Sequence, residues 1–280
     1  MTQDPTDQGT PDANMRNHLI RSSCPIPTAG LIAVFLLGSM PAAGQASSPR
    51  SQTIPRAANG KPDLSGVWAG PGFKHIEGAK YSDIPDVTRY VFTPPNDAFL
   101  PGGKELWNLK LNGDPRHDDP TLFCLPLGFP YIDLPGRAQQ IFQPPGYLVI
   151  AYEDDHITRI IPIGASHPKD PDPTWYGNSV AHWEGDTMVV DTIGVKPWNS
   201  DAQHHMHTEA AHYIERYRRT GPKTMSLEIT TDDPKVFNRP WSQTWEMHLH
   251  PEWTLLEDIC EENNKDPGLL EYLINKPQKL

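Results

Sequence analysis

From residue 138 to residue 259 the chain is a succession of short runs, each alternating or wholly apolar, cut by tight-turn signals. The runs are Ala138–Gln143, Tyr147–Glu153, Ile157–Ile163, Ser179–Trp183, Met188–Ile193, Ala211–Arg218, Ser226–Thr231, Ser242–His250 and Thr254–Ile259. Between them stand Pro144-Pro145-Gly146, Asp154-Asp155-His156, Glu184-Gly185-Asp186, Arg219-Thr220-Gly221-Pro222 and Pro251-Glu252. Period-two runs joined by such turns predict an antiparallel meander. With Ser65–Ala69 added, ten strands are expected, and a meander of that size removes its edges by closing into a barrel. The expected fold class is therefore all-β.

The rest of the chain is less regular. The 31 prolines and 21 glycines argue against long helices and for long connections. Residues 70–140 read as loops that wrap the outside or cap an opening, with one short helix over Gly103–Leu111. A second short amphipathic helix is expected at Gly268–Ile274. The N-terminal 1–46 segment reads as a signal peptide. Arg16 and Arg21 form its basic region, Leu31–Leu37 its apolar stretch, and Gly44-Gln45-Ala46 its small-residue end. Residues 1–14 contain three aspartates and no basic residue, so Met15 reads as the true start. Residues 47–62 read as a disordered leader, and 63–280 as a single barrel domain. The apolar stretch is too short to span a bilayer. A formal charge of −11 disfavours nucleic acid or an anionic membrane as partner.

Two cysteines, Cys124 and Cys260, remain beyond the leader. In an exported chain an even pair reads as a disulfide, the alternative being two buried thiols.

Strand alternation singles out charges that face inward. Tyr213, Glu215 and Tyr217 share one face of their run, and Arg159 shares a face with Ile157, Ile161 and Ile163. Glu153 falls with Tyr147, Val149 and Ala151, and Asp191 with Val189 and Ile193, although the latter run is apolar on both faces. A buried charge must pair or serve a site. Arg159 with a carboxylate is thus either a structural ion pair or the polar spot of a cavity. His204-His205-Met206-His207-Thr208-Glu209 is the other chemistry-bearing stretch. His205, His207 and Glu209 point one way on an extended segment, as metal ligands do, but the spacing matches no specific metal motif. His207 with Glu209 reads better as an acid/base pair. Gly177-Asn178-Ser179-Val180-Ala181 lacks the second glycine of a nucleophile elbow and precedes a strand, so Ser179 is discounted as a nucleophile.

Leu64-Ser65-Gly66-Val67-Trp68 resembles the Gly-x-Trp signature on the first strand of lipocalin-like barrels. From Asp63 to Asn263 the chain also resembles a large family of exported bacterial proteins of uncharacterised function. The matching motifs are Asp63–Trp68, Cys124 with Pro126 and Gly128, His167-Pro168, Trp175–Ser179, Trp183–Thr187 and Val189–Thr192. They continue through His207–Ala210, Glu215-Arg216-Tyr217, Asp233-Pro234, Pro240-Trp241 and Cys260 with Glu262-Asn263. Ala181, Met206 and Gln203-His204 depart from the family pattern, which leaves His204 outside it and weakens the three-histidine metal reading. The resemblance implies an exported lipocalin-like barrel and a Cys124–Cys260 bridge, and implies no activity.

Together these readings give a periplasmic or secreted protein whose barrel holds a small apolar or aromatic molecule. Tyr152, Tyr176, Trp183, Tyr213 and Trp245 are the expected walls, and no cofactor or metal is expected. The rival is a cofactor-independent lyase, isomerase or hydrolase. There His207 would move the proton, Glu209, Asp191 or Glu215 would orient it, and Arg159 would hold an anionic group.

Overall fold

Most of the alternating runs fold as strands, and their order in space follows their order in sequence. The computed structural model describes residues 53–70, 91–109 and 124–257. Its strands are β1 (Gly66–Ala69), β2 (Gln139–Phe142), β3 (Tyr147–Tyr152), β4 (Thr158–Pro162), β5 (Asn178–Glu184), β6 (Thr187–Ile193), β7 (His212–Arg219), β8 (Thr224–Asp232) and β9 (Trp241–Leu249). They form one sheet in the order β4-β3-β2-β1-β9-β8-β7-β6-β5. This is the expected all-β meander, rolled into a nearly closed barrel. The tight turns act as expected: Glu184 pairs with Thr187 across a two-residue loop in which Gly185 has φ +60°.

The strand count has a geometric consequence. β1 is antiparallel to both β2 and β9, and every later pairing is antiparallel. Counting alternations outward from β1 in both directions leaves β4 and β5 running the same way. Among the described residues their backbones pair only through a parallel bridge between Ile163 and Ala181, with the Gly164 amide donating to the Ala181 carbonyl at 2.7 Å. Parallel neighbours need a crossover, and residues 163–177 supply it. Residues 254–257 form no strand, against the tenth run expected at Thr254–Ile259, whose remainder lies outside the described residues.

β1 is anchored at its start. The Gly66 φ of +127° suits glycine, and a Cβ there would strike Leu249. Trp68 is fully buried and donates its indole N–H to the Leu64 carbonyl at 2.8 Å. Tyr213, Tyr217, Ile150 and Leu227 project inward with it. Residues 127–134 do more than cover the barrel end. Phe129 and Asp133 are both fully buried, and Phe129 packs edge-on against Tyr213. The expected helix near residue 103 forms as α1 (Gly103–Trp107), whose Trp107 joins Phe237 and Trp241 in an aromatic cluster.

Residues 53–62, read from sequence as part of a disordered leader, are tied down instead. Arg56 makes two bonds to the Asp186 carboxylate (3.0 and 2.6 Å) and Lys61 donates to the Gly185 carbonyl. The expected signal peptide, the Gly268–Ile274 helix and Cys260 lie outside the described residues. Among the described residues no helix is long and apolar enough to cross a membrane.

Candidate functional site

β4 and β7 aim opposite charges into the barrel, as alternation predicts. Arg159 and Glu215 are both buried and meet as a fork, Nη1 to Oε1 at 2.9 Å and Nη2 to Oε2 at 2.7 Å. The remaining Nη hydrogens reach Tyr152 Oη (3.2 Å), Ser179 Oγ (3.0 Å) and Thr192 Oγ1 (3.2 Å). One guanidinium on β4 is thereby bonded to β3, β5, β6 and β7. It bridges from inside the seam that the backbone leaves almost unpaired. Phe129 backs it, with its ring 4.4 Å from the guanidinium carbon.

A second carboxyl enters from the cap. Asp133 lies 3.9 Å from Arg159 Nη1, its Oδ1 is 2.7 Å from Tyr152 Oη, and its Oδ2 is 2.7 Å from Tyr217 Oη. Tyr217 Oη is also 2.8 Å from Glu215 Oε1. A phenol has one hydrogen and cannot donate to both carboxylates. The contacts close if Asp133 is protonated and donates to Tyr217, which in turn donates to Glu215. Electrostatics agrees. Burial and then the Glu215 charge push Asp133 well above the ordinary carboxylate range. Burial also acts to raise Glu215, but Arg159 and the hydrogen bonds outweigh it and hold Glu215 below its ordinary value. The network is therefore one cation, one anion and one neutral acid.

Where β4 and β5 part, a cleft of about 330 Å³ opens. Its walls combine Ile160, Ile161, Pro168 and Tyr176 with Arg159, Ser179 and Asn178. Gly177 holds the turn into β5 at φ +68°, where a Cβ would lie 2.7 Å from the Ile193 carbonyl oxygen. On the outer side of the seam Asn178 Oδ1 is 2.7 Å from His167 Nδ1. His167 Nε2 and His212 Nε2 both bond Asp191 Oδ1, at 3.1 and 2.8 Å. This half-buried chain crosses from the connection through β5 and β6 to β7.

The expected acid/base pair is not assembled. His207 is buried, with Nδ1 3.2 Å from the Thr208 carbonyl and its ring edge-on to Tyr213. Burial pushes it down to about 4, so it is neutral at neutral pH. Glu209 is exposed and ion-paired to Lys235. His205 instead bonds Asp201 (2.8 Å) and stacks on Trp107. The three side chains of the metal reading thus point to three different partners, and among the described residues no group of three or more His, Cys, Asp or Glu is arranged to hold a metal. Asp191 faces outward because Met188, Val190 and Thr192 take the inward side of β6. Glu153 likewise follows the outward phase of β3, where Leu148, Ile150 and Tyr152 are buried, and it accepts the Leu256 amide.

Of the expected aromatic walls, Tyr176 lines the cleft. Tyr152 belongs to the ionic network, Tyr213 fills the core beside Phe129, and Trp245 packs edge-on against Phe92. Trp183 sits at the far end of β5 under the Lys61 ammonium. Sequence reasoning missed Asp133, Ser179, Thr192 and Asn178 as members of the site. A signal existed for Asp133, the one acid within the apolar run Leu125–Leu134. Comparison with protein-family models, curated proteins and solved structures finds no match.

Proposed function

We propose that this protein is an exported binding protein that holds a small apolar or aromatic molecule in the cleft between β4 and β5. The observation that carries this reading is the cleft itself, a concave gap of about 330 Å³ in an otherwise hydrogen-bonded wall. Its mixture of aliphatic walls with a few fixed polar groups is the usual make-up of a small-molecule site. The charged network behind it is internally paired and serves to hold the two seam strands in place. Export and kinship with the exported family belong to the same proposal. They are supported by the N-terminal basic and apolar segments and by the even pair Cys124 and Cys260, whose bridge belongs to the same proposal.

The test is native mass spectrometry of the full chain purified from its producing cell, beside a Ser166→Trp variant. Ser166 is exposed and lines the cleft, so an indole there fills the gap without entering the core. A small molecule should accompany the wild type and be absent from the variant. Equal retention by both proteins would place the ligand elsewhere and sink the reading.

A further inference from the structure

The phase of the β3–β4 ladder tells which main-chain groups border the cleft. The Tyr152 amide donates to the Ile157 carbonyl at 2.9 Å, and the Ile163 amide to the Gly146 carbonyl at 2.8 Å. Bonded pairs alternate along an antiparallel ladder, so Ile157, Arg159, Ile161 and Ile163 turn their N–H and C=O groups toward β3. Thr158 and Ile160 turn theirs the other way, toward β5. Across the gap the Ala181 carbonyl faces β4, since it accepts the Gly164 amide. Two residues back, Ser179 has the same phase. Thr158, Ile160 and Ser179 all line the cleft, and among the described residues no strand takes their main-chain groups. Both walls of the cleft thus carry open strand edges.

Open edges are templates for a further strand. A strand antiparallel to β4 is also antiparallel to β5, because those two run the same way. The side chains around the edge set what such a strand can carry. Phe142, Val149 and Ile160 are successive cross-strand partners on the outer face. The row ends at the cleft with Ile160, which is 66% exposed. A residue opposite Ile160 lies on the same face, so an apolar side chain there continues the row. The neighbouring residue of the same strand turns inward toward Arg159, the one formally charged side chain lining the cleft. Glu215 already balances that charge at 2.7 Å, so a charged residue there would lose its hydration and gain no counter-ion.

We infer that the ligand of the cleft is a short, uncharged peptide in extended conformation, added along the β4 edge. Two of its residues exchange N–H and C=O with Ile160 and Thr158, and the one opposite Ile160 is apolar. This inference rests on the binding reading given above and names its ligand class.

Three probes separate the two, by ligand-observed NMR titration of the full chain. They are acetyl-Val-Ala-Val-N-methylamide, the same peptide with both valine amides N-methylated, and ethylbenzene. N-methylation removes the two donors aimed at β4 and should weaken the peptide at least about tenfold, the scale of two neutral hydrogen bonds. On the protein side, Thr158→Pro deletes one edge N–H. Thr158 opens β4, its N–H takes no part in the β3 ladder, and the preceding Ile157 is extended (φ −83°, ψ 144°), so proline is tolerated there. The variant should bind the unmethylated peptide about fivefold more weakly. Thr158→Val keeps the N–H and drops the hydroxyl, and should cost less. Equal binding of the two peptides, an unchanged affinity in Thr158→Pro, or an equal loss in Thr158→Val overturns the inference. So does saturable binding of ethylbenzene alone, which leaves the binding reading standing. If Thr158→Pro does not fold, the methylated peptide decides. Saturable binding of none of the probes to the folded wild-type chain overturns both readings.

Discussion

The barrel closes twice, at β1–β9 and at β4–β5, by different means. At the first junction the strands are antiparallel: Trp68 pairs with Leu249 and Ala69 with His248, and the His250 amide continues the ladder to the Val67 carbonyl. At the second the strands run parallel, one backbone bridge forms, and the Arg159 guanidinium makes the remaining links. A backbone ladder seals its junction and leaves no room for a guest. A side-chain pin holds two strands at a fixed spacing while leaving a gap between them. The cleft therefore lies at the junction where main-chain bonding stops, and the ion pair that looks like catalytic equipment keeps that gap at constant width.

The contrast breaks most visibly at Arg159. Arg159→Ala removes the guanidinium links across the seam and strands Glu215 as a buried charge without its cation. The expected loss is roughly 3–5 kcal/mol in urea denaturation, the usual result of deleting one partner of a buried pair. Hydrogen exchange should rise in β4 and β5, with the amides shared by β1 and β9 less affected. Uniform loosening of both junctions would mean that the pin supports the whole barrel and not its seam.

His207 tests the plug that backs the pin. Its ring lies against Tyr213, which packs on Phe129, which carries the guanidinium. Its ordinary value of 6.5 falls to about 4 in the folded protein because burial opposes the charge. Between those values the unfolded chain binds a proton that the folded chain does not. Stability is therefore complete above pH 6.5, declines as pH falls, and the loss is finished below about 4. The shift corresponds to about 3 kcal/mol. His207→Gln lacks this titration, so the stability gap between variant and wild type should change by about that amount between pH 7 and pH 4. A gap that does not vary with pH would show that His207 is not buried in its neutral form.

Parity made the Arg159–Glu215 pair legible in the sequence, because both strands carry an unambiguous inward face. It failed for β3 and β6, where both faces are apolar and alternation cannot choose between them. That ambiguity turned Glu153 and Asp191 to the wrong side. The buried His207 and Asp133 come from irregular segments, where no period exists to read. The seam was hidden by counting. Ten strands close with every pair antiparallel, whereas nine force one parallel pair, and the residues at 254–257 that form no strand make that difference. Asn178 and His167 join the site only through the crossover that this parity requires.

The smallest expected effect separates the two carboxyls. Asp133 is the proton-bearing member, so Asp133→Asn keeps the hydrogen-bond pattern: the amide oxygen accepts from Tyr152 and the NH₂ donates to Tyr217. At pH 4 the variant should lie within about 1 kcal/mol of wild type, the scale of one altered hydrogen bond. The sign at higher pH follows from the raised carboxyl. The wild-type contribution is fully present below the unfolded value near 4 and declines as pH rises, because the folded chain retains a proton that the unfolded chain releases. Asparagine has nothing to release, so the balance should move in favour of the variant as pH rises above about 4. Glu215→Gln removes the anion and should destabilise more than Asp133→Asn at pH 4, where Asp133 is fully protonated. Equal losses for the two variants would mean that the carboxyls share the guanidinium, and that the seam is pinned from the cap as much as from β7.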